Sequence, residues 1–550
     1  MQNPFPHIIL EEITNLELRS TFVLLLNSLE TSIKTIDDLK KEIQKLKDEN
    51  AILKGEQSKP DIKPKTPNRN ISSEPYRPDK KKKRKISSRR NKIKNNKINI
   101  DKVVICKLEK EKLPFDVINK GYERTISQNI IFKSNNTEYK REKYYSPSLN
   151  KTYIAPLPKD YNGYIAPPLK SLCHIFKYDW SLSRNKLISG LSSIGISISK
   201  GMLNKILFEP VEILVKEKNE ILQAGLSGVY TQIDGTSAKV FGENYTTQII
   251  CSPDFTVFST LEKKNRLHIL YALQGDPKDG LQYRYNTETE KYLQHFNVSI
   301  KDKQILKDRF SNGQTLSELE FHKIISKEYP TLFAKSNMYK RVCESFAFGY
   351  YFTQKDYPVI EYLVCDDAPE YKMIALYLML CWVHDARYYN KLCPQLENHK
   401  IILNDFKKRY WNLYYQLLDY KKFPDNETML ELEEKFNDLF QPSTEYYDLN
   451  KEIERTKNNK YDLLTVLKQP LLPLHNNSAE LKARIMVRLR DIFLHTMTFV
   501  GTQVQDAMMS IIQTAKQLGV DVWKFITDLI NLKNEYSLAD LIYANQYNSS

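Results

Sequence analysis

Two short apolar runs, each closing on a carboxylate, constrain this chain more than any other feature. In Tyr230-Thr-Gln-Ile-Asp234-Gly-Thr-Ser-Ala-Lys239 and Tyr362-Leu-Val-Cys-Asp366-Asp367-Ala-Pro-Glu-Tyr371, the residues before the acid are mostly aromatic, aliphatic or β-branched. Each therefore reads as a strand that delivers an acid at its end. A third stretch, His475-Asn-Asn-Ser-Ala-Glu480-Leu-Lys-Ala-Arg484, opens a strongly patterned helix with a glutamate in its first turn. Two aspartates and a glutamate from two strands and a helix are the oxygen donors that Mg needs for phosphodiester chemistry. Each also has a plain structural alternative. Asp234-Gly235 is a common hairpin pair, either aspartate of 366–367 suits the N-cap of a following helix, and Asn477 with Glu480 has capping-box spacing. Two aspartates in a row leave one over for other work. Asp366, nearer the strand, is the first candidate ligand and Asp367 its substitute.

A chain of 550 residues is too long for one core, so three or four domains are expected, and 41% hydrophobic residues suffice to fill them. The net charge of +15 points to a polyanionic partner. Most of it sits in one place: residues 80–97 carry eleven basic side chains (Lys80, Lys81, Lys82, Lys83, Arg84, Lys85, Arg89, Arg90, Lys92, Lys94, Lys97) and no acid, leaving +4 for the rest. Such a run neutralises DNA phosphates without reading sequence, and its binding weakens steeply with salt. Seven scattered cysteines without a Cys-x-x-Cys pair argue against a disulfide framework and for a reducing compartment. The longest charge-free apolar run, 374–383, is too short to span a bilayer and the N-terminus lacks a signal-peptide pattern, so a soluble cytoplasmic protein with no membrane partner is expected.

In chain order, residues 1–56 hold a heptad register through Phe22, Leu25, Leu29, Ile36, Leu39, Ile43, Leu46 and Leu53, with Ser32 and Asn50 filling seam positions. That predicts a coiled-coil homodimer, the alternative being one amphipathic helix packed on its own chain. Residues 57–100 are a basic, polar linker. Residues 101–168 show short β-rich runs (Val103-Val-Ile-Cys106, Gln128-Asn-Ile-Ile-Phe132, Thr152-Tyr-Ile154) and read as a small β-rich module. Residues 169–222 are helical. Within them 182–207 has helix-turn-helix length and punctuation, with Ser199 opening a second helix that carries Lys200, Asn204 and Lys205 toward DNA.

Residues 223–395 then supply three strand-like runs, a helical insertion at 276–350, the strand ending on Asp366, and a helix expected over 369–380. Cys381-Trp-Val-His384-Asp-Ala-Arg387 follows. It has a Cys and a His at metal spacing but no second pair, so it reads as the edge of the site. Residues 396–470 form a second insertion. Phe406, Tyr410, Leu413, Leu417 and Tyr420 line one helix, Met429, Leu432, Phe436 and Leu439 the next, and Phe423-Pro-Asp425 separates them. Residues 471–550 close the chain with helices, the first placing Arg484 and Arg488 one and two turns beyond Glu480 as phosphate-binding cations.

Taken in order, Asp234-Gly-Thr-Ser-Ala, Cys365-Asp366-Asp367-Ala-Pro, Cys381-Trp-Val-His384-Asp-Ala-Arg387 and Asn476-Asn-Ser-Ala-Glu480 resemble the transposases of the insertion sequence 66 family, of the Asp-Asp-Glu class. The likeness runs from about residue 101 to the end and extends to Lys143-Tyr-Tyr-Ser-Pro-Ser and Gly501-Thr-Gln. It implies an α/β multidomain chain with an RNase H-like catalytic core interrupted by helices, behind an N-terminal zipper and DNA-binding region. It also implies Asp234, Asp366 and Glu480 as ligands of two Mg ions, Mn serving as well, for cleavage of double-stranded DNA at element ends and strand transfer into target DNA. Many members carry a cysteine-rich zinc module ahead of the core; this chain has only Cys106 there, so no zinc is expected. The rival expectations are a catalytically inactive DNA-binding derivative and a nuclease without strand transfer.

Overall fold

The computed structural model describes residues 15–53, 100, 102–106, 122–123, 125–128, 133–159, 161, 163–275, 277, 279–441 and 443–549. The linker with Lys80 to Lys85, Arg89 and Arg90, and residues 129–132 of the Gln128 run, lie outside them. The chain forms two compact units, one of Met1–Ser73, Pro158–Ser189 and Ile198–Ser550, the other of Glu74–Leu157 and Gly190–Ser197.

The first unit begins with one long helix, α1 (Leu16–Leu53). Its first half packs on its own chain through polar contacts. Arg19 pairs with Glu445 at 2.6 Å, buried Asn27 donates to the Glu445 carbonyl and accepts from the Tyr447 amide, and buried Glu30 meets His399 at 3.3 Å. In its second half Ile36, Leu39, Ile43 and Leu46 are all exposed. The alternative reading, a helix lying on the body, thus holds for the first half, and beyond it the seam residues whose side chains are described stay bare. Asn50 and Leu53 lie among residues whose side chains are not described.

In the smaller unit a hairpin pairs β1 (Lys143–Ser146) with β2 (Lys151–Ile154), so the Thr152 run is a strand as expected. Val103–Cys106 is not: it is exposed and unpaired. A β-rich run becomes a strand only when a partner edge is within reach, and none is provided there among the described residues. The helix-turn-helix punctuation is reproduced along a stretch of which only Gly190–Ser197 belongs to the smaller unit, the residues on either side belonging to the larger. Helix α2 (Arg184–Ser193) is followed by Gly195 at φ +81° and by α3 (Lys200–Phe208), whose Ser199 cap accepts from the Met202 amide. Lys200 and Lys205 are exposed and Asn204 half-buried. Leu203, Ile206 and Leu207 turn inward, and α4 (Val211–Leu226) comes next.

The larger unit is built on a five-stranded mixed sheet. β3 (Tyr230–Val240) and β4 (Glu243–Cys251) form a hairpin whose two turn residues, Phe241 and Gly242, both have positive φ, the twist that two-residue hairpins need. The turn is therefore at 241–242, and Asp234-Gly235 sits mid-strand opposite Ile249 and Gln248, which removes the turn explanation for Asp234. β5 (Thr256–Leu261) extends the antiparallel side. A small hairpin of β6 (Gln282–Arg284) and β7 (Thr315–Ser317) lies within the first insertion, which is otherwise helical. Strands of three residues carry too little alternation to be seen in sequence. β8 (Tyr362–Cys365) then joins β3 in parallel, and β9 (Tyr377–Leu380) joins β8, giving the order β5-β4-β3-β8-β9.

The helix expected over 369–380 is not formed: a 3-10 turn, Pro369–Tyr371, leads into β9. Periodicity cannot tell a short apolar helix from a strand, and here the free edge of β8 decides, with Tyr377 stacked on Tyr362 at 5.0 Å.

After β9 come α5 (Trp382–Lys391), α6 (Glu397–Tyr420), α7 (Asn426–Leu439) and α8 (Tyr447–Asn458). The two stripes meet as expected, with Phe406, Tyr410, Leu413, Leu417 and Tyr420 buried on α6, Leu432, Phe436 and Leu439 on α7, and Asp425 as the α7 cap. The chain ends with α9 (Asn477–Phe493), α10 (Phe499–Gln517) and two further helices. α10 seals the edge of β5: the amides of Thr256, Phe258 and Thr260 donate to Thr514, Ser510 and Asp506 at 3.1, 2.9 and 2.7 Å. Outward amides recur about every 6.7 Å along a strand and helix positions four apart about every 6 Å, so the two ladders match. No helix among the described residues is long and apolar enough to cross a membrane.

Candidate active site

Register brings the first two acids together. Gln232 on β3 stands opposite Val364 on β8, the last pair of the parallel ladder, and two residues beyond it Asp234 feels the charge of Asp366. Neighbouring strands lie about 4.8 Å apart. The third acid is fixed by the turn before α9. The Asn476 amide side chain donates to the Ile233 carbonyl at 2.7 Å and its backbone amide to the Cys381 sulfur at 3.3 Å. Gln232 donates to the His475 carbonyl at 3.0 Å, and Trp382 N–H to the Leu474 carbonyl at 3.0 Å. The capping box expected from Asn477 does not form: the N-cap is Asn476, and its side chain reaches the strand instead of the helix amides. Glu480 is thereby free of a capping role.

Asp234 feels the other two acids. Burial, then the charges of Asp366 and Glu480, push the Asp234 carboxyl up to about 6, against the pull of the Gly235 amide at 2.7 Å and of Lys264. Asp366 accepts from the Ala368 amide at 3.3 Å. Asp367, by contrast, is occupied by Lys372 at 2.8 Å, Asn459 at 3.0 Å and Arg455 at 3.6 Å. The neighbouring aspartates have separate partners, and Asp366 carries no ion pair among the described residues.

Glu480 does not face the aspartates alone. Its Oε1 accepts from Arg387 at 3.0 Å and lies 3.1 Å from His384 Nε2. Burial and Arg387 hold His384 below the usual imidazole range, while Glu480 and Asp366 oppose that shift. The His384 Nδ1 is buried with no hydrogen-bond partner. Among the described residues no three His, Cys, Asp or Glu side chains converge tightly enough to hold a metal ion. The donor set nevertheless suits a hard divalent cation: three carboxylates without thiolates, with Asp234 raised first by burial and then by the charges of the other two.

Sequence reasoning placed His384 and Arg387 at the rim but missed that both grip Glu480, and it missed Lys264 and Arg455. Lys264, from the loop after β5, pairs with Glu370 at 2.7 Å beside the Asp366 loop. Arg455 on α8 meets Asp385 at 2.7 Å and lies 3.6 Å above the Tyr388 ring. A charge four residues from another on one helix is legible, but pairs made across 70 residues are not. A cleft of about 430 Å³ opens beside the acids, lined by Asp366, His384, Arg387, Tyr388, Lys391 and Arg455. Arg484 is half-buried and Arg488 exposed, further along α9.

No protein-family model matches the chain. A protein of Sinorhizobium fredii (strain NBRC 101917 / NGR234), known as "uncharacterized protein y4jO", is 27% identical over 323 residues, which are 57% of this chain and 96% of that protein. Its name assigns it no role, and the likeness spans nearly all of that protein but little more than half of this chain.

Proposed function

We propose that this protein is a DNA transposase of the Asp-Asp-Glu class, similar to the insertion sequence 66 family, with an RNase H-like core that cuts element ends and joins them to target DNA. The strand order β5-β4-β3-β8-β9, antiparallel on one side of β3 and parallel on the other, supports that core. The observation that carries the reading is that Asp234 and Asp366 each follow by two residues the last registered pair of β3 and β8, Gln232 and Val364, while Asn476 ties the turn before Glu480 to β3. Asp234, Asp366 and Glu480 would hold Mg, or Mn in its place. When bound, the metal supplies Lewis acidity that activates the attacking water and stabilises the departing 3′ oxygen. The chain's own work is to hold the phosphodiester with Arg387, Arg484 and Arg488, to keep Asp234 and Asp366 side by side, and to grip flanking DNA through residues 80–97 and Lys200, Asn204 and Lys205. The bare seam of α1 suits a homodimer that holds two DNA ends.

A second reading, DNA binding without chemistry, is favoured by the pairing of Glu480 with Arg387 and His384. A Mg-dependent cleavage assay on DNA flanking the gene separates the two. Nicks at the element boundary that join a second DNA support the transposase, nicks that never join point to a nuclease, and specific binding without nicks leaves the second reading.

A further inference from the structure

We propose that Arg387 is a substrate-sensing latch: without DNA it holds Glu480 away from Asp234 and Asp366, and a phosphodiester entering the adjoining cleft takes over the guanidinium and frees the glutamate. The inference rests on the transposase reading for the nature of the anion and goes beyond it in coupling DNA binding to metal binding.

Four observations carry it. Glu480 is committed, since one of its oxygens serves both Arg387 and His384. Arg387 is not: Glu480 is its sole hydrogen-bond partner among the described residues, its side chain is 35% exposed and it lines the cleft. A guanidinium carries five donors in a fork matched to phosphate, so most of its capacity is unused. Lys391, one helical turn on, also lines the cleft, is exposed and makes no ion pair among the described residues, its nearest partner being the Tyr388 ring at 4.9 Å. Arg455 offers the contrast, bound to Asp385, Glu452 and Asp367 and therefore unavailable.

The electrostatics give the coupling its sign. Moving Arg387 onto a phosphate leaves the Glu480 carboxylate without its cationic partner, in a site that already holds Asp234 and Asp366. A divalent cation relieves that strain, so DNA and metal favour each other's binding, reciprocally. His384, 3.1 Å from the same carboxylate oxygen, stays beside Glu480 during the exchange.

The test is Mn binding to the full chain, followed by electron paramagnetic resonance with and without duplex DNA. DNA should tighten Mn binding to the wild type by roughly tenfold or more. Arg387→Gln should tighten it to a similar degree without DNA and abolish the further gain on adding DNA. Glu480→Gln placed on that variant should return it to weak binding. Unchanged or weaker Mn affinity in DNA-free Arg387→Gln overturns the latch, as does an undiminished DNA effect in that variant. Should Arg387→Gln not fold by circular dichroism, Arg387→Lys, which keeps the charge and loses the fork, is read by the same criteria. Coupling without DNA cleavage counts against the transposase reading alone, and cleavage without coupling counts against the latch alone.

Discussion

Asn476 joins helix to strand: its side-chain amide donates to the Ile233 carbonyl at 2.7 Å, one residue before Asp234 and four before Glu480. One buried hydrogen bond thus sets how far the helix acid stands from the strand acid. Removing it leaves a buried carbonyl unpaired, at about 1–3 kcal/mol. Asn476→Ala should lower unfolding stability by about that amount in urea titrations. It should also lower DNA cleavage by roughly tenfold or more, since small displacements of catalytic groups are costly.

The adjacent aspartates should separate cleanly. Asp366→Asn is expected to abolish cleavage with DNA affinity held, as are Asp234→Asn and Glu480→Gln. Asp367→Asn is expected to keep measurable cleavage and to lose about 1 kcal/mol of stability, because it gives up its ion pairs with Lys372 and Arg455. Single-turnover nicking together with thermal unfolding of each variant checks this. A dead Asp367→Asn beside an active Asp366→Asn would reverse the assignment.

Stability should also depend on a buried acid far from the site. Glu217 on α4 is 4% exposed and accepts from the Leu538 amide at 2.8 Å, and burial pushes its carboxyl up to about 7 from the usual 4.5. Because the folded value is the higher one, the folded state holds this proton more tightly. The stabilisation is complete below about 4.5 and is lost as the pH rises through 7, to the order of 3 kcal/mol. Glu217→Gln keeps the acceptor and discards the charge. Its stability relative to wild type, measured in urea at pH 5 and pH 8, should therefore improve at the higher pH.

Association should reside in the second half of α1. Leu39→Glu with Ile43→Glu places charge on the exposed seam and should give a monomer by sedimentation, with an unchanged circular dichroism spectrum. A dimer that survives both changes would move the interface elsewhere.

Much of the sheet side of the site was legible because strands announce themselves by type and alternation: Asp234 and Asp366 were placed at strand positions before any register was known. The sequence also showed the α6 and α7 stripes, whose residues are buried where the 3.6-residue period puts them, save Met429, which is half-buried. Reading failed where a neighbour decided the outcome. Residues 369–380 had the length of a short helix, yet the open edge of β8 drew 377–380 into β9. Asn477 and Glu480 had capping-box spacing, yet the N-cap is Asn476, and its side chain bonds the Ile233 carbonyl instead of the helix amides. The hold of Arg387 and His384 on Glu480 spans about 95 residues, and no local pattern encodes it.

The buried contact of Glu30 has a mechanical consequence. Its carboxylate accepts from the Leu396 amide at 3.1 Å and from that of Gln395, just where α6 begins, which fastens the long N-terminal rod to the same helical block that braces Asp367 and Asp385. From Ile36 to Leu53 the rod runs on for about 27 Å at 1.5 Å per residue. A partner clasping that shaft would be carried as on a rigid boom, and the gap between the two reaction centres would follow from rod length rather than from a slack tether.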